Sequence, residues 1–169
     1  MTKNTITTVI DTPVGQFEIF ASEKGITAII PIKKNSKRPA AASHLSSVAL
    51  AKEDESPLRE YVQELKEYFA AARDSFDVPI DLSAGTAFQR SVWSAIQKIP
   101  TGSTPTYGEI ALRIGRPRAA RAVGNALNKN PVMIVVPCHR VVGANGEGGF
   151  ACGIKTKRWL LKHERKMRI

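Results

Sequence analysis

Apolar residues recur in two different rhythms along this chain, and the rhythm changes near Pro57. Before it, segments rich in Ile, Val, Thr and Phe at 5–11, 16–21 and 26–30 predict three short strands. Thr12-Pro13-Val14-Gly15 and Ser22-Glu23-Lys24-Gly25 read as the turns between them, which makes a meander. Residues 33–56 show little periodicity and read as mostly loop, with a short helix around 44–51. From Pro57 onward Leu58, Tyr61, Val62, Leu65, Tyr68 and Phe69 recur every three or four positions. That spacing is one apolar face of a helix with Pro57 near its start. Residues 76–82, with Pro79 inside, predict an edge strand or an extended linker. Together these elements form a small α/β unit over residues 1–82.

After Gly85 the helical rhythm dominates, and residues 83–169 read as a second unit. Thr86-Ala87-Phe88-Gln89 is a capping box that opens a helix with Phe88, Val92, Trp93 and Ile96 inward and Pro100 as its stop. Thr106-Tyr107-Gly108-Glu109 is a second capping box, followed by Ile110, Leu112 and Ile114 and ended by Gly115. Pro117 then occupies the first position of a third helix, over 118–128, whose interior is Ala119, Ala120, Val123, Ala126 and Leu127. Two short helices joined by Gly115-Arg116-Pro117 resemble a helix-turn-helix. Residues 133–136 predict a brief buried strand. A last helix from Thr156 to about Lys166 buries Trp159, Leu160 and Leu161.

Composition excludes several classes. With 169 residues, 43% hydrophobic and 24% charged, the chain suits one sizeable core or two small ones. It has no run of about 18 apolar residues, as a membrane-spanning helix needs. The first eight residues lack the basic-then-apolar order of a secretory signal. Two cysteines, Cys138 and Cys152, are too few for a disulfide scaffold. A cytoplasmic protein is the expectation. The net charge of +10 is unevenly spread: residues 85–169 carry 15 Lys and Arg against three acids, while residues 1–84 carry 10 against 12. A basic half points to a polyanion partner, since cations that neutralise phosphates release counterions; a solubilising surface is the ordinary alternative.

Chemistry concentrates in the basic half. Arg116, Arg118 and Arg121 flank a thin stretch of Ala119, Ala120, Ala122, Gly124 and Ala126, which permits close approach to a phosphate backbone or a groove wall. An alanine-rich packing helix with solvated arginines would look the same. Pro137-Cys138-His139-Arg140-Val141 follows the buried run directly. A thiolate is a nucleophile and an adjacent imidazole activates it, but His139 reaches the thiol only if the chain turns sharply after Pro137. A buried structural cysteine is the alternative. Cys138, His139, Cys152 and His163 lack zinc-ligand spacing. Glu164 sits near the end of the last helix, where an acid opposes the dipole, and His139 is its candidate partner. The Tyr107 hydroxyl is expected to be exposed at the start of its helix, beside the helix dipole and basic groups.

These segments resemble the 6-O-alkylguanine-DNA alkyltransferases. The resemblance rests on Pro137-Cys138-His139-Arg140-Val141, on Ala119-Ala120-Arg121-Ala122-Val123-Gly124 with Asn130-Pro131, and on Trp159-Leu160-Leu161-Lys162-His163-Glu164. It implies an α+β protein with a ribonuclease-H-like N-terminal domain and a mostly helical, winged-helix-like C-terminal domain carrying the helix-turn-helix. It implies single-turnover repair of double-stranded DNA by a monomer without cofactor, entering the minor groove and flipping the damaged base. By the same resemblance Cys138 accepts the alkyl group, His139 takes the thiol proton through a water, and Glu164 orients His139. Tyr107 protonates or hydrogen-bonds the guanine ring, Arg121 fills the vacated stack, and Asn130 braces the turn that carries the active-site strand. The carbonyls of Cys138 and Val141 accept from the guanine amine. DNA or base contacts extend to Thr106, Arg116, Arg118, Gly124, Asn128, Phe150, Ala151 and Cys152.

Two departures stand out. The family loop commonly reads Gly-Tyr-Ser/Ala-Gly-Gly, whereas this chain has Gly149-Phe150-Ala151-Cys152-Gly153. That puts the range of alkyl groups in question, with Cys152 narrowing the pocket. Some members hold a structural zinc in the N-terminal domain; here that domain has no cysteine and one histidine, His44, so no metal is predicted. The alternatives are a lesion-binding protein without transfer, which the presence of Cys138 disfavours, and a helix-turn-helix regulator, for which no dimerisation segment is evident.

Overall fold

The computed structural model describes residues 5–32, 48–50 and 58–167. Strands β1 (Thr5–Thr12), β2 (Gly15–Ser22) and β3 (Gly25–Pro31) form the meander with two tight turns, Thr12 pairing Gly15 and Ser22 pairing Gly25. Phe17, Ile19 and Ala21 alternate onto one buried face, as the two-residue period requires. The β2–β3 register slips between Phe20 and Ala21. Residues 48–50, expected in a short helix, instead form β4 (Val48–Leu50), parallel to β1 at the sheet edge, in the order β3-β2-β1-β4. A free edge of β1 offers backbone partners that local sequence does not reveal. Residues 44–47 and 51 of that expected helix lie outside the described residues.

Helix α1 (Leu58–Phe69) buries Leu58, Tyr61, Leu65 and Tyr68 at spacings of three and four. Residues 76–82 run extended beside β3, where Ile26 N–H donates to the Pro79 carbonyl at 2.9 Å and Asp81 N–H to Ile26 at 2.8 Å. This approach leaves no room for a Cβ at Gly25, whose φ of 126° also favours glycine.

In the second half α2 (Ala87–Gln97) and α3 (Tyr107–Arg113) both start in complete capping boxes, at Thr86 and Thr106. Val92, Trp93 and Ile96 are buried, and Phe88 is half-buried. The Trp93 indole N–H donates to the Ala126 carbonyl at 2.9 Å, fastening α2 to α4 (Ala120–Asn128). The helix-turn-helix is therefore present, but α4 begins later than the sequence suggests. Pro117 and Arg118 belong to a turn in which Ala119 N–H donates to Arg116 at 2.9 Å. Reversing the chain after Gly115 consumes these residues, so Pro117 serves the turn and not the helix.

The expected strand at 133–136 is also replaced, by a buried turn. Val136 N–H donates to the Val132 carbonyl at 2.9 Å, and Ile134 sits at φ 77°. That region is unfavourable for a β-branched residue, and such strain is retained only where surroundings enforce it. A bridge between Ile29 and Val132 and a 2.8 Å bond from Ile29 N–H to Pro131 tie this turn to β3. Helix α5 (Ile154–Lys166) starts two residues before Thr156 and buries Leu160 and Leu161. Trp159 is only half-buried, and it stacks on His163 with ring centroids 4.7 Å apart. Among the described residues no helix is long and apolar enough to cross a membrane.

Candidate active site

Asn130 organises the approach to the cysteine. Its Oδ1 accepts from Val132 N–H at 3.1 Å, and its Nδ2 donates to the Val136 carbonyl at 2.8 Å and to Cys138 Sγ at 3.1 Å. One buried amide thus closes the turn and reaches the sulfur. After Pro137 the chain enters a single 3-10 turn, Cys138–Arg140, which supplies the sharp bend the sequence calls for. Cys138 is 7% exposed. Burial pushes its thiol pKa up, opposed by the Asn130 hydrogen bond and the positive charge of Lys157. The resting form is therefore the thiol.

His139 and Glu164 are fully buried and meet at 2.7 Å, Nε2 to Oε1. Burial lowers the His139 pKa, with Arg140 and Lys157 acting in the same direction against Glu164. For Glu164 burial alone would raise the carboxyl, but hydrogen bonds and charge from His139 and Arg140 outweigh it and hold it below its ordinary range. A neutral imidazole beside a carboxylate must donate through Nε2, which leaves Nδ1 as an acceptor. Nδ1 is buried and has no partner among the described residues. Arg140 binds Glu164 through Nε and Nη2 at 2.9 Å each and Thr101 Oγ1 at 3.0 Å. Its buried charge is thus fully paired.

Tyr107, half-buried, begins α3, and its N–H donates to the Val142 carbonyl at 3.0 Å. Its ring lies between Gly124 of α4 and Gly148 of the following loop, where a Cβ at Gly148 would strike the hydroxyl. Burial and the proximity of Cys138 raise its pKa against a hydrogen bond from the Gly149 backbone, so the hydroxyl keeps its proton. Phe150 sits edge-on to the His139 ring at 6.3 Å. Cys152 is half-buried, its Sγ 3.1 Å from Met133 Sδ on the buried turn.

Arg116, Arg118, Arg121 and Asn128 are exposed around the helix-turn-helix, as is Ala151 in the loop. The Thr106 side chain is engaged in the capping box, accepting from Glu109 N–H at 3.2 Å. The Val141 carbonyl, expected to face the base, already accepts from Lys157 Nζ at 2.6 Å; Cys138 accepts from Val141 N–H at 3.3 Å. Lys157, fully buried, Tyr68, whose hydroxyl reaches Glu164, and Arg140, whose guanidinium pairs with that carboxylate, have roles that sequence reasoning missed. Lys157 is disguised by Lys155 and Arg158 beside it, and Tyr68 by the apolar stripe of α1. Among the described residues no group of three or more His, Cys, Asp or Glu is placed to hold a metal ion.

Comparison with known proteins agrees across both halves. The family model "6-O-methylguanine DNA methyltransferase, DNA binding domain" matches residues 87–166, and the model for the ribonuclease-like domain of the same family matches residues 5–82. A methylated-DNA–protein-cysteine methyltransferase from Methanosarcina acetivorans is 43% identical over 157 residues, 92% of this chain and 96% of that protein. The crystal structure of the Mycobacterium tuberculosis O6-methylguanine methyltransferase superposes with a TM-score of 0.84 at 38% identity, covering 96% of this chain and 94% of that one. A Mycobacterium tuberculosis OGT in complex with DNA gives 0.80 at the same identity, covering 97% and 94%. With both halves matched at these levels, the chain belongs to the 6-O-methylguanine-DNA methyltransferase family.

Proposed function

We propose how the residues of this site divide the family's reaction, the single-turnover transfer of an alkyl group from 6-O-alkylguanine in DNA to a cysteine of the protein itself. Cys138 is the acceptor. As its Sγ closes on the alkyl carbon, the thiol proton passes through one water to His139 Nδ1. The carbon–O6 bond breaks, and its electron pair is taken up by the guanine. The Tyr107 hydroxyl donates to the guanine ring, which makes it a better leaving group. Glu164 fixes the tautomer and steadies the imidazolium that forms. Asn130 and Lys157 favour the developing thiolate, Lys157 also drawing the Val141 and Gly149 carbonyls together across 2.6 and 3.5 Å.

The observation that carries this reading is the buried, unpartnered Nδ1 of His139, one residue from a thiol that burial keeps protonated. A thiol held in that form needs a base, and His139 Nδ1, on the next residue, has no hydrogen-bond partner among the described residues and is free to accept the proton. The exposed arginines of α4 and its preceding turn fit a minor-groove approach, with Arg121 filling the stack when the nucleotide flips out. Thr106, Arg116, Arg118, Gly124 and Asn128 line the same approach, while Val141, Phe150, Ala151 and Cys152 bound the base pocket. The division into domains 1–82 and 83–169, a monomeric state and a cytoplasmic location belong to the same proposal.

The test is incubation with a duplex carrying 6-O-methylguanine, followed by intact mass and peptide mapping. One methylene per chain on Cys138, with no turnover beyond one equivalent, is expected, and Cys138→Ala should bind DNA without reacting. Methyl on Cys152, or repeated turnover, would overturn it.

A further inference from the structure

We propose that Tyr68, from the N-terminal half, is a positioning residue for the proton relay, its hydroxyl setting how tightly Glu164 holds the proton on His139. The inference rests on the relay described above. Tyr68 is fully buried in α1, and its hydroxyl donates to Glu164 Oε1 at 2.8 Å. The same oxygen accepts from His139 Nε2 at 2.7 Å and from Arg140 Nη2 at 2.9 Å. With a longer contact from Arg140 Nε at 3.2 Å, donors from three residues share one carboxylate oxygen. Each donor that stabilises the anion reduces what the anion gains by holding a proton on its neighbour.

The phenol has no freedom to leave this position. Its ring is packed against Phe69, Phe76 and the His163 ring, with centroids 5.3, 5.4 and 5.5 Å away. The His163 Nε2–H also donates to the Tyr68 carbonyl at 2.7 Å. Burial and the negative Glu164 raise the phenol pKa far above the ordinary value, so the group donates at every working pH. Glu164 is faced by Tyr68, His139, Arg140 and, at 3.4 Å, the Gly102 N–H; His139 is faced by Glu164, Arg140 and Lys157. Removing the Tyr68 donor leaves more negative charge for His139 alone. Its imidazolium becomes easier to form at rest, and the neutral base is lost at a higher pH.

The measurement is single-turnover methyl transfer on a 6-O-methylguanine duplex from about pH 5 to about pH 8, for the parent, Tyr68→Phe and His139→Gln. In parallel, ¹⁵N shifts of the His139 ring are titrated in unreacted parent and Tyr68→Phe. Tyr68→Phe should move the acid limb and the imidazole titration upward by about half to one pH unit, a roughly three- to tenfold slower reaction on the acid side. The plateau rate should change by no more than about twofold. An unmoved or lowered pKa, or a uniform loss at all pH, would make Tyr68 a packing residue and overturn the proposal. If His139→Gln keeps the acid limb, the relay reading itself fails. The imidazole titration still decides the Tyr68 contact in that case.

Discussion

Among the buried titratable groups in the site, His139, Glu164 and Cys138 shift in directions that make stability depend on pH at both ends, while the lowered pKa of buried Lys157 works against the decline on the alkaline side. His139 is held neutral, so as pH falls below about 6.5 the unfolded chain binds its proton first and stability drops. Glu164 is depressed, so its contribution is complete above about pH 4.3 and is lost as pH falls further toward its folded value. Cys138 is raised, so stability falls again as pH climbs above about 8.5, where the unfolded thiol ionises first. Urea unfolding against pH should therefore show a plateau between roughly pH 6.5 and 8.5. His139→Gln should flatten the first acid decline and leave the alkaline one. A decline that is unchanged in that variant would mean another group carries it. The Cys-His pair and Glu164 were legible because they stand out against their local sequence, one as a motif and the other as an acid in a basic helix end. Lys157 and Tyr68 were not, because each is ordinary in its own segment and becomes functional only through a partner 16 or 96 positions away.

Local rules read α2 and α3 well, since a capping box is satisfied within four residues and owes nothing to the rest of the fold. They misread residues 133–136 because Asn130, and not the Val-Ile pattern, decides the backbone there. They misread residues 48–50 because strand pairing with β1 is a long-range choice. The loop after Val142 shows the same dependence on distant contacts. Gly148, at φ 68°, lies against the Tyr107 hydroxyl, so the loop and α3 hold the tyrosine between them. Gly148→Ala adds backbone strain of about 1–2 kcal/mol and a collision at the hydroxyl. Displacing a reacting group by about 1 Å can cost on the order of a hundredfold in rate. Single-turnover transfer should fall by that order while DNA affinity stays near the parent's. A matching loss of affinity would show that the whole loop has rearranged.

At the scale of the molecule, under the proposed function, the basic half delivers the lesion and the N-terminal half, through Tyr68, steadies the chemistry. If Arg121 stabilises the flipped-out state, Arg121→Ala should slow repair by roughly tenfold more in duplex than in a single strand, where no stack needs filling. Equal losses on both substrates would instead make it a phosphate contact. The turn carrying the cysteine has a second consequence. Asn130 grips Cys138 Sγ with the same amide that grips Val136, and the adjacent Pro131 carbonyl holds Ile29 in β3. A methyl on that sulfur weakens the acceptor and crowds a packed site, for which overpacking costs about 1–3 kcal/mol. The methylated protein should melt at a lower temperature, and the Ile29 amide should exchange faster with deuterium; an unchanged melting point would contradict this. A molecule that works once would then carry a record of its use, written as softness along the β3 edge.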